Sequence, residues 1–205
     1  MPVTVERHEI VGRAPDGGPF PNNTYLVGDE REVLVVDPAH DADAVRSCVA
    51  GRTVVGLVLT HGHWDHVGPA AELAAGWGVV PLLHPADRFL WEQTHPGVPT
   101  GDLADGQVIE VAGAEVTVAH TPGHTPGACS FLVPDAATVL TGDTLFPGGP
   151  GATRWDYSDF DQVISSIRER LVTLDPAWTV GPGHGDPTTV GTEAPEVDAW
   201  ESRGW

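Results

Sequence analysis

The chain contains no lysine, two cysteines, one methionine and no long apolar run, and each scarcity removes a class of function. Its fixed side-chain cations are all arginine, and the balance of 10 basic against 29 acidic residues gives a formal charge of −19. A surface this acidic repels phosphate backbones and anionic membranes, so neither nucleic acid nor a membrane is expected as a partner. Cys48 and Cys129 stand far apart without a CxxC or CxxH context. That argues against a disulfide framework or a cysteine zinc knot and leaves both as small buried hydrophobes. Spanning a bilayer takes about 20 consecutive apolar residues, and no stretch reaches that length. The opening MPVTVERHEI has no basic stretch followed by an apolar core, so the expected protein is soluble and cytoplasmic.

What remains is ordinary globular material: 205 residues, 40% hydrophobic, with 25 Gly and 19 Pro to make turns. One domain over residues 1–205 is expected. Short β-branched runs at 24–27 and 32–36 read as strands, 41–50 as a helix, and 54–59 as a strand buried on both faces. That last run ends abruptly in THGHWDHVG. A helix over 68–75, a strand over 79–83 and a helix over 85–93 with Pro in its first turn follow. Strands are expected at 107–111, 115–119, 128–133 and 138–140. Phe160, Val163, Ile164, Ile167, Leu171 and Leu174 recur at helical spacing, which predicts a helix over 159–174 with Asp159 as its N-cap. A strand at 178–180 runs into GPGHGD. The two halves loosely repeat one scheme, strands leading into a strand-to-loop junction that carries metal-type residues. The expected class is α/β, with mixed sheets and helices on their outer faces.

Context divides the ten histidines. His61, His63 and His66 share one loop with Asp65, His124 lies in TPGHTPG, Asp143 in TGDTLF and His184 in GPGHGD. In HGHWDH a turn, rather than a regular helix, can aim alternate side chains in different directions and serve two metals from one loop. Imidazole and carboxylate are the ligands zinc takes in catalytic sites that keep a position for water. His8, His40, His84, His95 and His120 lack this context and read as structural; His120, which precedes the TPGH loop, comes nearest to an alternative role behind a metal ligand. Asp37, Thr60 and Thr141 are candidates for fixing loop geometry. Trp77, Trp91 and Trp178 read as core residues.

These motifs, with NNTYLV and VLVVDP near the start, resemble those of metallo-β-lactamase-fold hydrolases from about Asn22 to Thr189. The resemblance implies an αββα sandwich of two mixed sheets with the metal site at one edge. It implies His61, His63 and His124 on one ion, Asp65, His66 and His184 on a second, and Asp143 bridging them. Asp143 stands where the metallo-β-lactamases proper usually carry Cys or Ser, and TGDTLF is similar to glyoxalase-II-like thioester hydrolases. The Lys/Tyr pair with which glyoxalase II holds glutathione has no counterpart in PGGPGATRW, and its C-terminal helical region has none in this chain. A compact glyoxalase-II-like hydrolase is therefore expected, with two divalent ions, zinc first and iron or manganese as alternatives. Its nucleophile would be a hydroxide held between the ions, and its catalytic carboxylates Asp65 and Asp143. The expected substrate is a small anionic acyl-thiol, with Arg154, Trp155 and Trp64 as its contacts. An alternative for Arg154 is an ion pair with Asp156. The same scaffold also hosts mononuclear Fe(II) persulfide dioxygenases and lactone or β-lactam hydrolases.

Overall fold

The computed structural model describes residues 2–204, so Met1 and Trp205, the two ends of the expected domain, lie outside the described residues. The first half builds a six-stranded sheet from β1 (Thr4–Arg13), β2 (Pro19–Gly28), β3 (Glu32–Val36), β4 (Thr53–Val58), β5 (Pro81–Leu83) and β6 (Gly101–Asp102), in that order across the sheet. The second half supplies β7 (Val108–Val111), β8 (Ala114–His120), β9 (Cys129–Val133), β10 (Thr138–Gly142), a small hairpin of β11 (Leu145–Phe146) and β12 (Gly149–Pro150), then β13 (Thr179–Pro182) and β14 (Thr188–Thr189). Its six-stranded sheet has the order β14-β13-β10-β9-β8-β7, apart from the hairpin. Both sheets are mixed: β3 to β6 run parallel in the first, and β10 pairs parallel with β13 in the second.

Strand periodicity explains the layers. Tyr25, Val27, Leu34, Val36 and Val58 face the second sheet and meet Val116, Val118, Phe131 and Leu140 from it. Their alternate neighbours Leu26, Val33, Val35 and Leu57 face outward, under Val45 and Val49 of α1 (Ala42–Val49) and Leu73. Both faces of these strands are thus covered over most of their length, which is why they read as continuous apolar runs; the exception in the run expected to be buried on both faces is Val55 of β4, 39% exposed. Leu73 belongs to α3 (Ala70–Trp77), which follows a single turn, α2 (Trp64–Val67), and α4 (Arg88–Thr94) completes the helices of the first half. The second sheet's outer face, with Val139 and Val180, is covered by α5 (Phe160–Ser166) and, beyond the one-turn α6 (Val190–Glu193), by α7 (Val197–Arg203). The result is the expected helix, sheet, sheet, helix order of layers.

Three local readings change. The expected helix over 159–174 is α5 followed by one wider π turn, Ile167–Leu171, which keeps Ile167 and Leu171 buried; Asp159 does cap it, accepting from Gln162 N at 2.9 Å. The HGHWDH segment is a hybrid: it is extended as far as His63, the N-cap, and helical in α2. β1 and α7 carry no clear sequence signal. β1 is an edge strand whose charges, such as Glu6, Arg7 and Glu9, hide the alternation, and Ile10 is its only residue buried in the core. Among the described residues no helix is long and apolar enough to cross a membrane.

Candidate metal centre

Seven side chains converge where parallel strands end, the edge at which open α/β sheets place ligands. β4 delivers His61 and His63, α2 delivers Asp65 and His66, and the β8–β9 connection delivers His124. β10 leads to Asp143 and β13 to His184. Two glycines let these segments close up. Gly142 has φ +48°, and a Cβ there would overlap the Thr60 side chain; a Cβ on Gly183 would overlap Asp143 Oδ1 and lie 2.6 Å from His66 Cε1.

The ring nitrogens sort into inward and outward sets. His61 Nε2 lies 3.0 Å from His63 Nδ1, which lies 3.1 Å from His124 Nε2. His66 Nε2 is 3.4 Å from both Asp65 Oδ2 and Asp143 Oδ1. His184 Nε2 is 3.3 Å from Asp65 Oδ2 and 3.6 Å from Asp143 Oδ2. Each outward nitrogen has a partner. His66 Nδ1 is 2.9 Å from Asp37 Oδ2, and His61 Nδ1 is 3.1 Å from Thr60 Oγ1, which donates to the same Asp37 oxygen at 2.5 Å. His124 Nδ1 is held by Ala152 O at 2.7 Å, His184 Nδ1 by Pro21 O at 2.8 Å and His63 Nε2 by Tyr157 Oη at 2.9 Å. Such outward partners fix the tautomer that leaves the other nitrogen's electron pair free for a metal.

Inside the cluster His66 Nε2 and Asp143 Oδ1 are buried without a hydrogen-bond partner among the described residues. Leaving such groups unsatisfied costs about 1–3 kcal/mol each, and a cation between them removes that cost. Three groups of three ligand atoms each fall within 4.8 Å: His61, His63 and His124; His61, His66 and Asp143; Asp65, His66 and His184. Five imidazoles and two carboxylates fit divalent metal ions.

Electrostatics prepare the donors. Burial, reinforced by the neighbouring imidazoles, pushes His61 well below the usual histidine range and His63 down to about 4; burial also lowers His124. Burial would raise Asp65 and Asp143, but His66 and His184 outweigh it and hold both carboxyls below their ordinary values. For His66 and His184 burial acts downward, yet the carboxylates win and raise both, His184 to about 9. Three neutral histidines and two ionised aspartates therefore face inward at neutral pH.

The expected substrate contacts line one cavity of about 880 Å³ with His63, His124, Asp143 and His184. Trp64, 43% exposed, stacks on Phe20 at its mouth. The Trp155 ring lies 4.7 Å from that of His63, and the Arg154 guanidinium sits 4.8 Å over the Trp155 ring. Arg154 makes no ion pair with Asp156 among the described residues; six other arginines are paired with carboxylates.

Four supporting residues were not found by sequence reasoning. Asn22 Nδ2 donates to Asp65 Oδ2 at 2.9 Å, and its Oδ1 is 2.6 Å from Nε2 of His40, a histidine read as merely structural. Asp87, fully buried, accepts from Gly62 N, Thr125 Oγ1 and Gly127 N at 3.0, 2.7 and 2.6 Å and so ties the His61–His63 loop to the His124 loop. Tyr157 is the fourth. Asp87 in HPAD looks like an ordinary helix-start residue, and Tyr157 stands 14 residues past Asp143, so neither carries a local signal. His120 bonds Pro126 O at 2.9 Å, in the loop that carries His124. Trp91 is buried, while Trp77 and Trp178 are half-buried against the core.

The sequence profile of the metallo-beta-lactamase superfamily matches residues 17–184. The chain belongs to the metallo-β-lactamase superfamily. Among its relatives within that superfamily, the hydroxyacylglutathione hydrolase GloC of Haemophilus influenzae is 33% identical over 191 residues, covering 85% of this chain and 90% of the relative. The probable metallo-hydrolase YqgX of Bacillus subtilis is 30% identical over 191 residues, covering 86% and 90%. The solved structure of TTHA1623 in a di-iron-bound form superposes with a TM-score of 0.79 at 31% identity, covering 91% of this chain and 96% of that one. The superfamily's metallo-hydrolase character and the His/Asp cluster together make this edge a divalent-metal site.

Proposed function

We propose that this superfamily member is a binuclear metal-dependent hydrolase that cleaves a small anionic acyl-thiol, acting inside the cell. The observation that carries the reading is the pair of ligand groups, His61/His63/His124 and Asp65/His66/His184, with Asp143 reaching toward both through its two oxygens. Two divalent ions, when bound, lower the pKa of water and polarise a carbonyl oxygen. The seven side chains would hold them, with zinc the first expectation; iron is a further outcome, since TTHA1623 was solved with two irons.

The chain's own residues supply the rest. Arg154, the only arginine among the described residues of the cavity wall, would pair with a substrate carboxylate, and the Trp64 and Trp155 rings would pack on the acyl or thiol chain and exclude water. The ionised Asp65 carboxylate, fixed by Asn22 at 2.9 Å, would accept a hydrogen bond from the attacking water and orient it. The similarity to GloC supports a thioester rather than another acyl bond, and the missing Lys/Tyr pair favours a thiol other than glutathione.

A second reading has its own support. Two of the three ligand groups are two histidines and one carboxylate, the set used by mononuclear Fe(II) oxygenases, here acting on a persulfide. Elemental analysis of the purified protein with a panel of acyl-thiols, persulfides, lactones and β-lactams separates the readings. The hydrolase reading expects about two metals per chain and thioester cleavage abolished in His61→Ala and Asp143→Ala. In Arg154→Gln, KM should rise about tenfold for carboxylated substrates alone, as expected for one lost charge-assisted bond. One iron with O₂ consumption on a persulfide selects the oxygenase, lactone or β-lactam cleavage without thioesterase activity selects those substrates, and full thioesterase activity in either alanine variant overturns the hydrolase.

A further inference from the structure

Four of the five inward-facing histidines are braced by backbone carbonyls or by the Thr60/Asp37 pair, and of these bracing residues Ala152, which offers its backbone carbonyl, also lines the substrate cavity. His63 differs. Its brace is a phenol in the wall of the substrate cavity, Tyr157, at 2.9 Å from Nε2. A neutral imidazole has one donor and one acceptor nitrogen. His63 Nδ1 lies among the nitrogens of His61 and His124, so to serve as a ligand it must carry the electron pair. Nε2 then carries the hydrogen and donates to Tyr157 Oη. The phenolic hydrogen has no protein acceptor among the described residues, which leaves it to point into the cavity. The Tyr157 ring is itself held in place, stacked 7° from parallel with Trp155 and edge-on to Phe89 at 5.2 Å.

We propose that Tyr157 is a positioning residue for the metal centre, its hydroxyl fixing the tautomer and orientation of His63 from the substrate side. The proposal rests on the reading that His63 is a metal ligand. Its consequence is that the His61/His63/His124 group is the one whose geometry is set partly by a residue a substrate would touch, whereas the Asp65/His66/His184 group is braced wholly from inside the fold.

The test is cobalt(II) binding to the full chain, followed by visible absorption and by competition with a chelator, for wild type, Tyr157→Phe and Phe89→Leu. Tyr157→Phe removes only the hydroxyl, and Phe89→Leu disturbs the ring's packing but keeps it. The expected result is that Tyr157→Phe weakens one of two cobalt equivalents about tenfold, at the low end of what losing such a partner costs. Its absorption bands should shift, while Phe89→Leu binds like wild type. Unchanged affinity and spectrum in Tyr157→Phe overturns the proposal, as does equal weakening in Phe89→Leu, which would assign the effect to loop packing. A wild type that binds no cobalt refutes the metal reading itself and is distinguishable from both.

Discussion

Asp87 touches no ligand atom of the cluster, yet three donors from two ligand-bearing segments end on its carboxylate. Burial raises its pKa against the pull of Thr125, Gly127 and Gly62, and no ion pair with a cation offsets that burial among the described residues. Asp87→Ala strands three buried donors, and at about 1 kcal/mol or more for each the expected loss is about 3 kcal/mol in urea unfolding. Asp87→Asn, which keeps the acceptor oxygen, should lose less. The seven cluster residues were legible in the sequence because histidine and aspartate beside glycine at strand ends are chemically conspicuous. Asp87, Asn22 and Tyr157 were not, because a residue that acts by bonding another is recognised only when the partner is seen. His40 was set aside for the same reason.

At the level of elements, the strands most visible in the sequence include those buried on both faces, such as β10, which also carries a ligand, Asp143, just past its end. Elements with one weak face were lost. β1 offers little apolar surface, and α7 rests its fit on Val197 and Trp200, too few positions to establish a period. The α5 cap illustrates how an ordinary local signal reaches the site. Asp159 caps α5, and its own N–H donates to Gly123 O at 2.8 Å, in the loop that carries His124. Asp159→Ala should therefore cost about 1 kcal/mol, as lost N-caps do. Hydrogen exchange should quicken at the first turn of α5 and spread into residues 121–125; exchange confined to α5 would show that the cap does not brace the loop.

For the whole molecule, the ionisable cluster predicts how the metal-free protein responds to pH. His63 at about 4 lies below its unfolded value near 6.5, so the unfolded chain binds more protons between those values and stability rises with pH across that window. His184 at about 9 lies above its unfolded value, so its contribution is fully present below about 6.5 and is lost as pH rises through 9. The two slopes oppose each other, and urea midpoints of the metal-free protein should peak near pH 6.5. A profile flat from 4 to 9 would count against the cluster as described. Metal uptake at neutral pH should release protons, because ligands must deprotonate to bind, and His184 still holds one there.

Every one of the three ligand groups mixes residues from the two halves of the chain: His61 and His63 with His124, His61 and His66 with Asp143, Asp65 and His66 with His184. An ion held by any of them therefore ties residues 61 to 119 positions apart in sequence. Each is a crosslink between the sheets that closes a long loop, and such closures act on the unfolded chain as a disulfide does. In a protein with two free cysteines, reversible staples of this kind would make mechanical integrity a function of metal supply. Chelation should lower the melting temperature, and faster amide exchange should begin at this edge of the sandwich.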